Sequence, residues 1–261
     1  MELRVDGKRV FAATGGRAFD PSAPVVVFIH GAGFDHTAWQ LQARYYAHHG
    51  RSVLAVDLPG HGRSDGPVLG SIDALVGWLE RLLDAAGVEK TALVGHSLGA
   101  LVALAAAARL PDRVTALALL GVAARMPVHP ELQSLAEHDV ARAGALVVDW
   151  GYGPAAHLGG HRAPGLWMMT GGLRVIERSA PGVLAADLAA CNAYDGAEAD
   201  AARVRCPTLL VLGISDRMTP LKGGLALAAK IAGARVARID AGHFMMIERP
   251  DATLDALREV L

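Results

Sequence analysis

Apolar runs of five to seven residues alternate with amphipathic stretches over most of this chain. Residues 3–5 and 9–13 are short alternating runs on either side of Asp6-Gly7, which predicts a hairpin. Val25–Ile29 (VVVFI) is β-branched and aromatic throughout, the pattern of a strand buried on both faces. A helix is expected over 37–48, a buried strand over 52–58, a helix over 71–86 stopped by Gly87, a strand into Gly95, a helix to Arg109 and a strand over 114–120. The alternation then lapses. Residues 123–205 show only helix-like pieces near 130–148 and 173–192, with glycine breaks at 151–153 and 159–160. Strand and helix resume at 208–213, 221–231, 235–239 and 250–261.

Such alternation predicts an α/β protein with a doubly wound, mostly parallel sheet. Because the pattern returns after its gap, 123–205 reads as a helical insertion after the sixth core strand, with 1–122 and 206–261 forming one core.

Composition narrows the class. A chain of 261 residues, 52% hydrophobic and 20% charged, has enough apolar surface for a sizeable core. A net charge of −1 gives no reason to expect nucleic acid. No apolar run is long enough for a membrane span, and the charged, alternating N-terminus does not read as a signal peptide. Cys191 and Cys206 are too few for a disulfide framework, which suits a reducing, cytoplasmic setting.

The candidate chemistry sits at Gly95-His96-Ser97-Leu98-Gly99, a G-x-S-x-G between strand and helix. A serine needs an exposing turn and a base to become a nucleophile. Glycines on either side let strand and helix pass closely, and the first helical turn offers free N–H groups, that of Leu98 among them, for a developing oxyanion. Asp216 follows the apolar strand 208–213, and strand C-termini are where functional residues of parallel sheets gather. His243 follows the last strand in Asp240-Ala241-Gly242-His243-Phe244, and an imidazole has the right range to take and return a proton. His96 is expected to face away from Ser97 by strand alternation, and His30 to brace its own loop. His157 and His161 stand four apart, but Gly159-Gly160 intervenes and no acidic residue joins them, so no metal site is expected.

His30-Gly31-Ala32-Gly33, residues 57–64, 95–99, 213–216 and Gly242-His243 together resemble the α/β-hydrolase superfamily, over nearly the whole chain. The resemblance implies a serine esterase-like member whose nucleophile, acid and histidine come in the order Ser97, Asp216, His243. It also implies an oxyanion hole from the Ala32 and Leu98 amides, a structural Asp57, and a helical cap over the serine. The expected activity is hydrolysis of a small, largely apolar ester through an acyl-enzyme, without metal or organic cofactor. Enol-lactonase, thioesterase, perhydrolase and carbon–carbon hydrolase are alternatives on the same residues. The last often carries a tryptophan just after the histidine, where this chain has Phe244-Met245-Met246-Ile247. A serine at the elbow speaks against dehalogenases and epoxide hydrolases, which use aspartate there. A small-molecule receptor of this fold is the non-enzymatic alternative, favoured only by a damaged triad or oxyanion loop. Phe34, Trp150, Trp167, Met168 and Phe244 are the candidate pocket residues; the Trp-Met-Met cluster of the insertion either lines an apolar pocket or fastens insertion to core.

Overall fold

The computed structural model describes residues 1–160 and 167–261. Its chain runs β1 (Glu2–Val5), β2 (Lys8–Ala13), β3 (Val25–Ile29), a 3-10 turn (His36–Trp39), α1 (Gln40–Ala47), β4 (Ser52–Val56), α2 (Ile72–Ala85), β5 (Thr91–His96), α3 (Leu98–Arg109) and β6 (Val114–Leu120). Among the described residues six helices follow before the next strand: α4 (Pro130–His138), α5 (Val140–Gly151), α6 (Pro154–His157), α7 (Met168–Glu177), α8 (Val183–Ala193) and α9 (Ala197–Ala201). The chain closes with β7 (Thr208–Gly213), α10 (Leu221–Ala228), β8 (Arg235–Ile239), α11 (Met245–Glu248) and α12 (Pro250–Leu257).

The eight strands form one sheet in the order β1-β2-β4-β3-β5-β6-β7-β8. β1 pairs antiparallel with β2 and β2 with β4; every other pairing is parallel. The β1–β2 hairpin turns on Asp6 and Gly7, both at positive φ, as a two-residue loop between right-twisted strands requires. β3, β4, β5 and β7 are buried at every residue, which is why they read as unbroken apolar runs. The order reverses around β3: the chain steps to β4 on one side and returns to β5 on the other. The loops leaving β3 and β5 therefore diverge over a crevice at the carboxyl end of the sheet, where open α/β sheets bind ligands.

α2 shows how the local signals act. Ser71 caps it, accepting the Ala74 N–H at 3.2 Å, and Ile72, Leu75, Val76, Leu79, Leu82 and Leu83 bury one stripe. α3 is different: every residue from Leu98 to Ala108 is buried, so the helix is apolar all round.

The insertion departs from the expected pieces. The helix-like stretch near 130–148 is two helices parted at Asp139, whose side chain leaves the helical path to accept the Arg142 N–H at 3.1 Å and cap α5. The stretch near 173–192 is divided by Gly182 at φ +82. α6, α9 and α11, of four or five residues each, are too short for periodicity to reveal. Among the described residues no helix is long and apolar enough to cross a membrane, and both cysteines are unpaired.

Candidate active site

Ser97 sits at the turn between β5 and α3, at φ 53 and ψ −115, a strained conformation for a residue with a side chain. Tight packing enforces it. A Cβ on Gly95 would lie 2.7 Å from Ala100 Cα, and one on Gly99 would lie 2.5 Å from the His30 carbonyl oxygen. The Ser97 N–H donates to Leu120 O at 2.9 Å, and its carbonyl accepts Ala100 N–H at 2.9 Å, so the backbone is held on both sides. The Leu98 and Ala32 amides have no acceptor among the described residues.

His243 lies in the loop after β8. Its Nδ1 is 2.8 Å from Asp216 Oδ2 and 3.2 Å from Thr219 Oγ1. Asp216 has two duties. Oδ1 accepts the Met218 and Thr219 amides at 2.9 and 2.8 Å, closing the turn after β7, while Oδ2 takes the Thr219 hydroxyl at 2.7 Å and faces the imidazole. Burial pushes this carboxyl up, but the His243 ring and the Thr219 hydrogen bonds outweigh it and hold the pKa below the ordinary carboxylate range. With Nδ1–H donated to Asp216, the free lone pair of His243 is on Nε2. Ser97 Oγ has no hydrogen-bond partner among the described residues; apo sites often hold such contacts open until substrate arrives.

Both Ser97 and His243 line a cavity of about 330 Å³ between sheet and insertion. Phe34, Trp150 and Phe244, three of the candidate pocket residues, line it too. Trp167 and Met168 do not. Trp167 is 53% exposed ahead of α7, and Met168 is buried where α7 packs on Tyr152, whose hydroxyl donates to the Met168 carbonyl at 3.2 Å. Trp167 precedes α7 and Met168 packs on Tyr152, so neither reaches the cavity. The wall comes instead from Met126, Val128, Leu132 and Val147, and from Leu184, Leu188 and Cys191 on α8. That last set has i, i+4, i+7 spacing, a helix-face signal present in the sequence. Among the described residues, Arg217 and His129 are the polar side chains contributed besides the serine, threonine and two histidines at the base, and none that lines the cavity is acidic.

His96 does not turn away. It lines the same cavity, its ring centroid 4.6 Å from that of His243 and its Nε2–H donating to His243 O at 2.9 Å. Strand alternation fails here because Ser97 has already left strand geometry. Burial, then the neighbouring His243, hold the His96 pKa well below its usual value, so this ring is a neutral brace. His30 braces as expected: Nε2 accepts the Leu58 N–H at 3.1 Å and Nδ1 faces Gly31 O at 2.9 Å. Asp57 accepts the amides of His36 and Arg63 and the His36 ring, a structural post. Asp35, His36 and Asp57 lie close enough to suggest a metal set, but these same hydrogen bonds occupy them. His161 lies outside the described residues.

The sequence pattern of the alpha/beta hydrolase family matches residues 26–256, and the chain belongs to that family. It is 30% identical to a putative non-heme haloperoxidase of Mycobacterium phage D29, over 97% of this chain and 91% of that one. It is 29% identical to a pimeloyl-[acyl-carrier protein] methyl ester esterase of Aromatoleum aromaticum, over 91% and 98%. Among solved structures it resembles the enol-lactonase of Burkholderia xenovorans LB400, with a TM-score of 0.89 and 26% identity over 99% of this chain and 98% of that one.

Proposed function

We propose that this hydrolase cleaves a carboxylic ester of a small, largely apolar substrate through an acyl-enzyme, with Ser97 as nucleophile, His243 as general base and acid, and Asp216 as its orienting carboxylate. The observation that carries the reading is the 2.8 Å Asp216–His243 contact, which leaves Nε2 of the ring for the cavity that Ser97 shares. In this reading the Ser97 hydroxyl donates to that nitrogen across the cavity that both residues line. As Oγ attacks the ester carbonyl, Nε2 takes its proton, and Asp216 stabilises the imidazolium without itself being protonated. Charge on the carbonyl oxygen is met by the unpaired amides of Ala32 and Leu98, each such donor being worth about 2.7–4 kcal/mol in the transition state. The imidazolium then protonates the leaving alkoxide, and the same nitrogen activates the water that frees the acid. The helices of residues 123–205 act as a cap whose apolar side chains hold the acyl or alcohol group.

A lactone is a second reading, favoured by the likeness to an enol-lactonase. A lactone is a cyclic ester, and every step above applies with the leaving alkoxide tethered to the acyl group. The test is a screen of p-nitrophenyl acetate and matched esters, lactones and thioesters. Turnover that disappears in Ser97→Ala is expected; single-turnover labelling without sustained hydrolysis would sink the enzymatic reading and favour a receptor.

A further inference from the structure

Two buried ionisable groups take no part in the scheme above. His61, in the loop after β4, and Asp187, on α8, are separated by 126 positions, and the side chain of each is 1% exposed. His61 Nε2 lies 2.8 Å from Asp187 Oδ2, and His61 Nδ1 lies 3.1 Å from Pro59 O. Asp187 Oδ2 also accepts the Gly33 N–H at 2.9 Å. Gly33 is the residue after Ala32.

We propose that His61 and Asp187 form a buried ion pair that positions the oxyanion loop, so that the hole is complete only when α8 is seated on the core. The proposal rests on the reading of Ala32 as an oxyanion donor.

The geometry sets the protonation. Both ring nitrogens of His61 face atoms that accept: a carbonyl and a carboxylate. A neutral imidazole has one N–H and would aim a lone pair at one of them; the imidazolium satisfies both. A proton on Asp187 instead would need Oδ1, which is buried without a partner among the described residues, and would strand that hydroxyl. Burial alone pushes the His61 pKa down, but the Asp187 charge and hydrogen bond outweigh it, and the pKa is raised overall. The other titratable groups around the ring are His30, whose ring centroid is 4.9 Å away after β3, and Asp57 at the end of β4. Asp57 is held by His36. His30 is the neutral member of the two rings: burial, then the charge of His61, lower its pKa to about 4.

The loop is therefore gripped at both ends. The His30 ring holds the Gly31 carbonyl, and Asp187 holds the Gly33 amide, with the Ala32 peptide between them. Gly33 adopts φ +68, and a Cβ there would lie 2.9 Å from Leu184 Cδ1, so the loop packs on α8 itself. α8 also supplies Leu184, Leu188 and Cys191 to the cavity wall. A substrate that lifts or seats this helix moves the anchor of the oxyanion loop with it. His61 and Asp187 are positioning residues in this account: neither lines the cavity.

The first test needs no substrate. In protein labelled with 15N at histidine, His61 is expected to show both ring nitrogens protonated at pH 7.5 and His30 only one; a neutral His61 would overturn the proposal. The second test is kinetic, on p-nitrophenyl acetate. Asp187→Asn and His61→Gln are expected to lower kcat about 10- to 100-fold, less than the 10²–10³-fold of losing a donor outright, with KM changed less than about 3-fold. The wild-type kcat should fall at alkaline pH as His61 loses its proton, and His61→Gln should lack that limb. Folded variants with wild-type kcat, or an alkaline limb that persists in His61→Gln, would also overturn it. An inactive wild type would remove the proposed ester chemistry, while the NMR result would still decide the ion pair.

Discussion

The backbone N–H of His243 donates to the carbonyl of Gly151 at 2.6 Å, stitching the loop after β8 to the end of α5. Glu248 doubles the seam. Its buried carboxylate accepts the Gly242 N–H through Oε1 and the Gly153 N–H through Oε2, both at 2.9 Å. The candidate base is thus held by the insertion as well as by the sheet.

Truncating that carboxylate strands two buried amides. Glu248→Ala is expected to destabilise the fold by about 2–6 kcal/mol, at roughly 1–3 kcal/mol for each of the two stranded amides. Glu248→Gln, which keeps one acceptor, should cost about half as much. Urea unfolding midpoints at constant slope check the order.

Asp216→Asn should leave the fold in place and lower kcat by about 10³–10⁴-fold, because the amide no longer holds the Nδ1–H tautomer of His243. Steady-state rates on p-nitrophenyl acetate, with circular dichroism as the control for folding, make the comparison.

Acid and alkali should act through different groups. Asp216 is held below the ordinary carboxylate range, so its stabilisation is complete above about pH 4 and is lost as pH falls through its lower native value. His61 has the opposite sign: its pKa is raised, so its contribution is complete below about pH 6.5 and is lost as pH rises through its native value. Melting temperatures from pH 2 to 10 should show a shallower acid slope in Asp216→Asn and a shallower alkaline slope in His61→Gln.

Trp150 lines the cavity and Trp167 does not. Trp150→Ala should raise kcat/KM for hexanoate relative to acetate esters by about 10-fold, the scale of one or two methylene groups in an apolar pocket. Trp167→Ala should leave the ratio unchanged. Equal shifts in both variants would contradict this placement of the pocket wall.

Cys191 faces the cavity, yet burial and then Asp187 push its thiol pKa far up. Thiolate is the reactive form, so iodoacetamide at pH 8 should modify Cys191 at least about 10-fold more slowly than a free thiol. Mass spectrometry of the modified peptide reads the rate.

Val25–Ile29 and Thr208–Gly213 were legible as strands because each lies inside the sheet and is buried at every position. The elbow was legible because a strained turn between packed elements tolerates only glycine at 95 and 99. Asp216 and His243 stood out as candidates by following strands, at the end of the sheet where open α/β folds gather ligands. Local chemistry of this kind is written in neighbours along the chain. The cavity wall, the turn of His96 toward the site, and the meeting of His61 with Asp187 were not so written. Each depends on the phase and tilt at which helices of the insertion settle on the core, set by many small packing contacts at once. Sequence by itself determined which residues are the candidates for the chemistry and that a parallel sheet presents them at one end; only the tertiary structure decided which side chains enclose the space above them.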